Sequence, residues 1–106
     1  MINKLYLIVR TNLSPEQQAI QAGHAAVEWA RKHGRFFPHP TFVLLEAKNK
    51  SHLKWLMVQC ILAGMAYIPF YEPDRNEGLT ALAVHYCGLK DRKLFYKLPL
   101  LKFRLK

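Results

Sequence analysis

Leu5-Tyr6-Leu7-Ile8-Val9, followed by Asn12-Leu13-Ser14-Pro15-Glu16-Gln17, decides the fold. The five apolar residues run without a polar break and include β-branched side chains. They read as a strand buried on both faces, the pattern of an α/β sheet. Ser14 is placed to cap a helix, Pro15 suits its first turn, and Gln17 completes a capping box. The helix is expected from Pro15 to about His33, ended by Gly34. It is rich in small residues (Ala19, Ala22, Gly23, Ala25, Ala26, Ala30), which let a helix lie close to a sheet. Glycine in mid-helix costs about 1 kcal/mol relative to alanine. Gly23 therefore predicts either that something approaches the backbone there or simple helix–sheet packing.

Working outward, Thr41–Ala47 reads as a second strand, entered through Pro38 and Pro40. Asn49-Lys50-Ser51 leads into a second helix. Its Leu53, Leu56, Met57, Cys60 and Ile61 follow i, i+3, i+4, i+7, i+8, a single apolar stripe, and Gly64 stops it. Residues 66–71 form a short third strand that Pro69 assigns to a sheet edge. Residues 79–84 form a fourth, after the polar loop Glu72–Gly78. The order is β-α-β-α-β-β. Strands joined through helices are expected to be parallel with right-handed crossovers. The last two, joined by about seven residues, are expected to be antiparallel. The class is α/β: three layers, with a four-stranded mixed sheet and helices packed on it.

With 106 residues the chain reads as one domain. At 51% apolar and 22% charged it excludes a disordered chain, a collagen-like repeat and a disulfide scaffold. No apolar run has the roughly 20 residues that a membrane span needs. Charge is the unusual quantity: 16 Lys and Arg against 7 Asp and Glu, a formal +9. Residues 1–87 hold nine basic and six acidic side chains. Residues 88–106 hold seven basic ones (Lys90, Arg92, Lys93, Lys97, Lys102, Arg104, Lys106) and only Asp91. This divides the chain into an α/β domain, 1–87, and a basic C-terminal tail, 88–106. A polyanionic partner, nucleic acid or an anionic membrane surface, is one reading of the tail. A solvated tail that maintains solubility is the other.

Three features carry candidate chemistry. On the first helix, Gln21, His24 and Glu28 are three and four apart and line one face. If the helix follows directly on a parallel strand, its first turns lie at the strand's carboxyl end, where open α/β sheets bind ligands. His24 beside a carboxylate there suits a general base or, protonated, a phosphate ligand. An exposed histidine paired with Glu28 is the plainer reading. The loop Glu72-Pro73-Asp74-Arg75 is expected at the same sheet edge, with two carboxylates placed to activate water; a surface ion pair between Arg75 and Glu77 is its plainer reading. Tyr67, Phe70 and Tyr71 are placed to stack on bases, or belong to the core. The five histidines and the two cysteines, Cys60 and Cys87, show no zinc or redox spacing. Buried reduced thiols and an N-terminus without a signal-peptide layout predict a cytoplasmic protein.

Lys4-Leu5-Tyr6-Leu7-Ile8-Val9-Arg10-Thr11-Asn12-Leu13 and Gln21-Ala22-Gly23-His24-Ala25 resemble the opening of the type 2 peptidyl-tRNA hydrolases. That family begins with a strand ending Val-Arg-x-Asp-Leu and a helix carrying Ala-Gln-x-x-His-Ala. The resemblance covers about residues 4–86. It implies a four-stranded mixed sheet, hydrolysis of the ester between a peptide and the 3′ ribose of tRNA, no cofactor or metal, and often a homodimer. It implies catalysis by His24, Asp74 and Glu72. It gives Gln17, Gln21 and Thr80 to the ester or terminal nucleotide, and Lys4, Arg10 and the tail (Lys90, Arg92, Lys93, Lys97) to phosphates. The chain also departs from the pattern. Gln17 stands where the family carries a lysine, Asn12 replaces the aspartate of the strand motif, and the Asp-Ala-Gly-x-Thr segment is not visible. Three functions follow: a divergent hydrolase acting in translation, a non-catalytic tRNA- or RNA-binding module on the same fold, and a basic protein that docks on a membrane or protein.

Overall fold

In the computed structural model, Ser14 caps α1 (Pro15–His33), its side-chain oxygen accepting from the Gln17 backbone N–H at 3.2 Å. The structure describes residues 3–73, 78–86, 95 and 97–102. Around α1 stand β1 (Lys4–Arg10), β2 (Thr41–Ala47), α2 (Lys50–Leu62), β3 (Tyr67–Glu72) and β4 (Gly78–Tyr86). Asn49 caps α2, accepting from the His52 N–H at 2.9 Å. Gly64 ends the turn after α2 at φ +68°, a backbone state that glycine adopts without steric cost.

The sheet order is β2-β1-β4-β3. β1 pairs with β2 in parallel and with β4 antiparallel, and β3 pairs with β4 antiparallel. The strands β1, β2 and β3 thus point the same way, and Pro69 lies on an edge strand, as the sequence predicts. From β1 to β2 the chain moves one way across the sheet, and from β2 to β3 the other. With crossovers of one hand, this reversal puts the two helices on opposite faces. The two cores match. Ala22, Ala25 and Trp29 of α1 pack on Leu5, Leu7, Val9, Ala81 and Ala83. Leu53, Leu56 and Cys60 of α2 pack on Tyr6, Ile8, Leu45 and Leu82. β1 therefore buries both faces, which is why its five apolar residues show no alternation.

Two expectations are corrected. Nothing lies within 4 Å of a Cβ built on Gly23, which is exposed, so neither close approach nor sheet packing explains that glycine. Ile61, assigned to the buried stripe of α2, is 50% exposed. The described part of residues 88–106 is built into the fold. Phe95 is buried and stacked on Tyr6, ring centroids 4.3 Å apart. Residues 99–101 run along the open edge of β2: Glu46 N–H donates to the Pro99 carbonyl and Leu101 N–H to the Leu44 carbonyl, both at 2.9 Å. This covers an edge that would otherwise expose a ladder of unpaired backbone groups. Burial pushes the Cys60 thiol up to about 11, so it stays protonated and inert at neutral pH. Cys87 lies outside the described residues.

At the amino end of β1, His85 is buried between Trp29 and Phe37, ring centroids 5.1 and 4.2 Å away. Asn3 Nδ2 donates to the Pro38 carbonyl, so Asn3 Oδ1 faces His85 Nε2 at 2.6 Å and accepts its hydrogen. Burial, and then the neighbouring His33, hold the His85 pKa below the ordinary 6.5. Unfolding restores that ordinary value, so the unfolded chain binds more protons as pH falls through 6.5. The neutral-His85 contribution is therefore complete above pH 6.5 and is lost progressively below it. Urea midpoints between pH 7.5 and 5 should fall, and the fall should be shallower in His85→Phe. His52, also lowered, contributes the same sign and accounts for slope that remains in the variant.

Candidate active site

Because β1, β2 and β3 are parallel, their carboxyl ends (Arg10, Ala47 and Glu72) and the start of β4 meet at one end of the sheet. The amino-terminal turns of α1 stand there too. The register of β3 on β4 slips once: Phe70 pairs with Ala81 and Tyr71 with Leu79, leaving Thr80 as an extra residue. Such a bulge re-aims a side chain. Here it turns Thr80 onto α1, where its hydroxyl donates to Gln21 Oε1 at 2.9 Å and lies 3.3 Å from the Phe70 carbonyl.

Gln21 is fully buried and joins three elements. Its Nε2 donates to Glu72 Oε2 at 2.6 Å and to Gln17 Oε1 at 3.0 Å. The orientation is fixed by chemistry. An ionised carboxylate only accepts, so Gln21 presents its amide nitrogen to Glu72 and its oxygen to the Thr80 hydroxyl. Gln17 then presents its oxygen to Gln21, so its amide nitrogen takes no part in this bond. The result is a directed chain, Thr80 to Gln21 to Glu72 and Gln17, ending in a half-buried carboxylate and an amide donor at the rim.

His24 is brought to the same corner but not into the network. Its ring is exposed and stacks on Phe70, with centroids 4.7 Å apart and planes 15° from parallel. The expected His24–Glu28 pair does not form, and Glu28 accepts from Arg31 at 3.0 Å instead. Arg10 is buried. Its Nε donates to Asn12 Oδ1 at 2.9 Å and its Nη1 to the Leu79 carbonyl at 3.2 Å. This guanidinium ties together the end of β1, the turn after it and the start of β4. Asn12 is its side-chain partner there. Lys4 opposes Thr41 and Tyr86 at the far end of β1, about 20 Å from Arg10 at 3.3 Å per residue, and does not share the site. Asp74, Lys90, Arg92 and Lys93 lie outside the described residues. Lys97 is exposed and stands on the α2 side of the sheet.

Sequence reasoning missed one cation. The Lys50 ammonium lies 3.4 Å from where a Cβ on Gly78 would sit, and Gly78 is the register partner of Glu72. Gly78 holds φ +73°, a backbone state that favours glycine. The available signal was the placement of Lys50 in the first turn of a helix that starts at the sheet's carboxyl end. Among the described residues no three His, Cys, Asp or Glu side chains gather to hold a metal ion. No described helix is long and apolar enough to cross a membrane. The sequence matches no protein-family model and no curated protein.

Proposed function

We propose that this chain binds tRNA and hydrolyses the ester linking a peptide to the tRNA 3′ end. The observation that carries the reading is the Thr80–Gln21–Glu72–Gln17 network at the strands' carboxyl end. It holds a carboxylate and a second amide, that of Gln17, around Gln21, and water attack on an ester requires a proton acceptor and an oxyanion donor. Glu72 accepts a proton from water as its oxygen adds to the ester carbonyl. Gln17 N–H stabilises the oxyanion of the tetrahedral intermediate. The intermediate collapses by breaking the bond to the ribose 3′ oxygen, and Glu72 returns the proton to that oxygen. Gln21 positions both groups. The His24–Phe70 stack offers a flat surface to the terminal base, and Lys50 supplies positive charge nearby.

Gln17 at the family's lysine position favours a second reading, tRNA binding without chemistry. Titrating labelled tRNA across a salt series tests the shared part: log affinity should fall linearly with log salt as counterions are released. Affinity that ignores salt overturns both readings. Turnover of peptidyl-tRNA by catalytic amounts of the chain separates them: release of peptide supports hydrolysis, and salt-sensitive binding without release leaves the binding module.

A further inference from the structure

The face of α2 turned away from the sheet is apolar. Trp55, Val58 and Leu62, spaced i, i+3, i+7, stand directly opposite the buried Leu53, Leu56 and Cys60, with exposures of 53%, 45% and 75%. Surface helices ordinarily carry polar residues there. The stripe continues at Trp55 into a groove of about 860 Å³, whose apolar lining includes Leu56, Leu98 and Pro99. Lys48 and Lys97 line the same groove, and Lys54 is exposed on the helix, which carries no acidic residue. Glu46, the one carboxylate among the described lining residues, accepts from the Lys102 backbone N–H at 3.2 Å.

We infer that this face docks an acidic amphipathic helix of a partner protein. Its apolar side chains would lie along Trp55, Val58 and Leu62, with one entering the groove, and its Asp and Glu residues would face Lys48, Lys54 and Lys97. The groove selects against a flat lipid surface, which meets the tips of the stripe but does not fill a cavity. Charge selects against a second copy: each chain carries +9, and pairing α2 with itself brings lysines together with no acid between them.

Trp55 reports on the site, because the other tryptophan, Trp29, is buried. The probe is a synthetic peptide with leucine at i, i+3, i+4 and i+7 and glutamate elsewhere. It is compared with the same peptide carrying lysine for glutamate and with a scrambled sequence. The acidic peptide is expected to shift the emission to the blue and saturate. Val58→Asp and the surface change Lys54→Glu should each weaken it by about tenfold or more, with far-ultraviolet dichroism unchanged. Equal binding of the lysine peptide, or no binding of the acidic one, overturns the inference. So does a blue shift without peptide that grows with protein concentration, appears with phosphatidylserine vesicles or appears with tRNA; these results assign the face to a second copy, a membrane or nucleic acid.

Discussion

Glu72→Gln is expected to lower kcat for peptidyl-tRNA hydrolysis by about 10²–10⁴-fold, the usual contribution of a positioned general base. The substitution keeps the local geometry. The new amide oxygen can accept from Gln21 Nε2, as the carboxylate does at 2.6 Å, so the network and the fold persist. What is lost is the ability to take a proton. Affinity for tRNA should change little, because removing one carboxylate from a basic chain costs no phosphate contact. The measurement is a parallel determination of kcat and tRNA Kd for both proteins. A variant retaining full kcat would remove Glu72 from the reaction and leave His24 or Asp74 as the base.

Phe95→Ala is expected to destabilise the fold by about 3–5 kcal/mol, the range for deleting a buried phenyl ring. Phe95 is 4% exposed and lies flat on Tyr6, so its removal opens a cavity against the α2 side of the sheet. Against a total stability of about 5–15 kcal/mol this is a large fraction, and each kcal/mol lowers Tm by about 4–8 °C near this size. Leu100→Ala is the control: its side chain is 63% exposed and the pairing at 99–101 uses backbone groups, so its effect should stay within about 0.5 kcal/mol. Urea unfolding at constant m checks both. Ending the chain at Gly88 removes Phe95 as well and should lower stability at least as much. Equal, small effects of the two substitutions would return residues 88–106 to a detachable tail.

The fold was legible where a local pattern had one physical explanation. An unbroken apolar β1, a Ser-Pro cap, and Pro69 within β3 each allow few arrangements, and together they predict a parallel pair with an antiparallel edge. Gln21 and Thr80 stood out as candidates in the sequence, but the bulge that joins them did not, since it depends on how β3 and β4 pair rather than on either sequence. His24–Glu28 illustrates the opposite case: spacing brings two side chains to one helix face, but Arg31 competes for the carboxylate at i+3. The role of Arg10 was hidden for the same reason. Charge suggests a phosphate, but the burial of Arg10 and its bonds to Asn12 and the Leu79 carbonyl depend on how β1 and β4 meet. Likewise, the i, i+3, i+4 count in α2 included Ile61, because a helix with apolar residues on two opposite faces does not reveal which side the sheet covers.

The most direct measurement is a single-turnover assay at low salt, with the chain in excess over N-acetyl-aminoacyl-tRNA labelled on the acyl group. Bound tRNA is followed in the same samples. First-order release of the label, faster than spontaneous ester hydrolysis and suppressed in Glu72→Gln, is the predicted result. Fully bound tRNA whose ester decays at the spontaneous rate would contradict hydrolysis at the Thr80–Gln21–Glu72–Gln17 network.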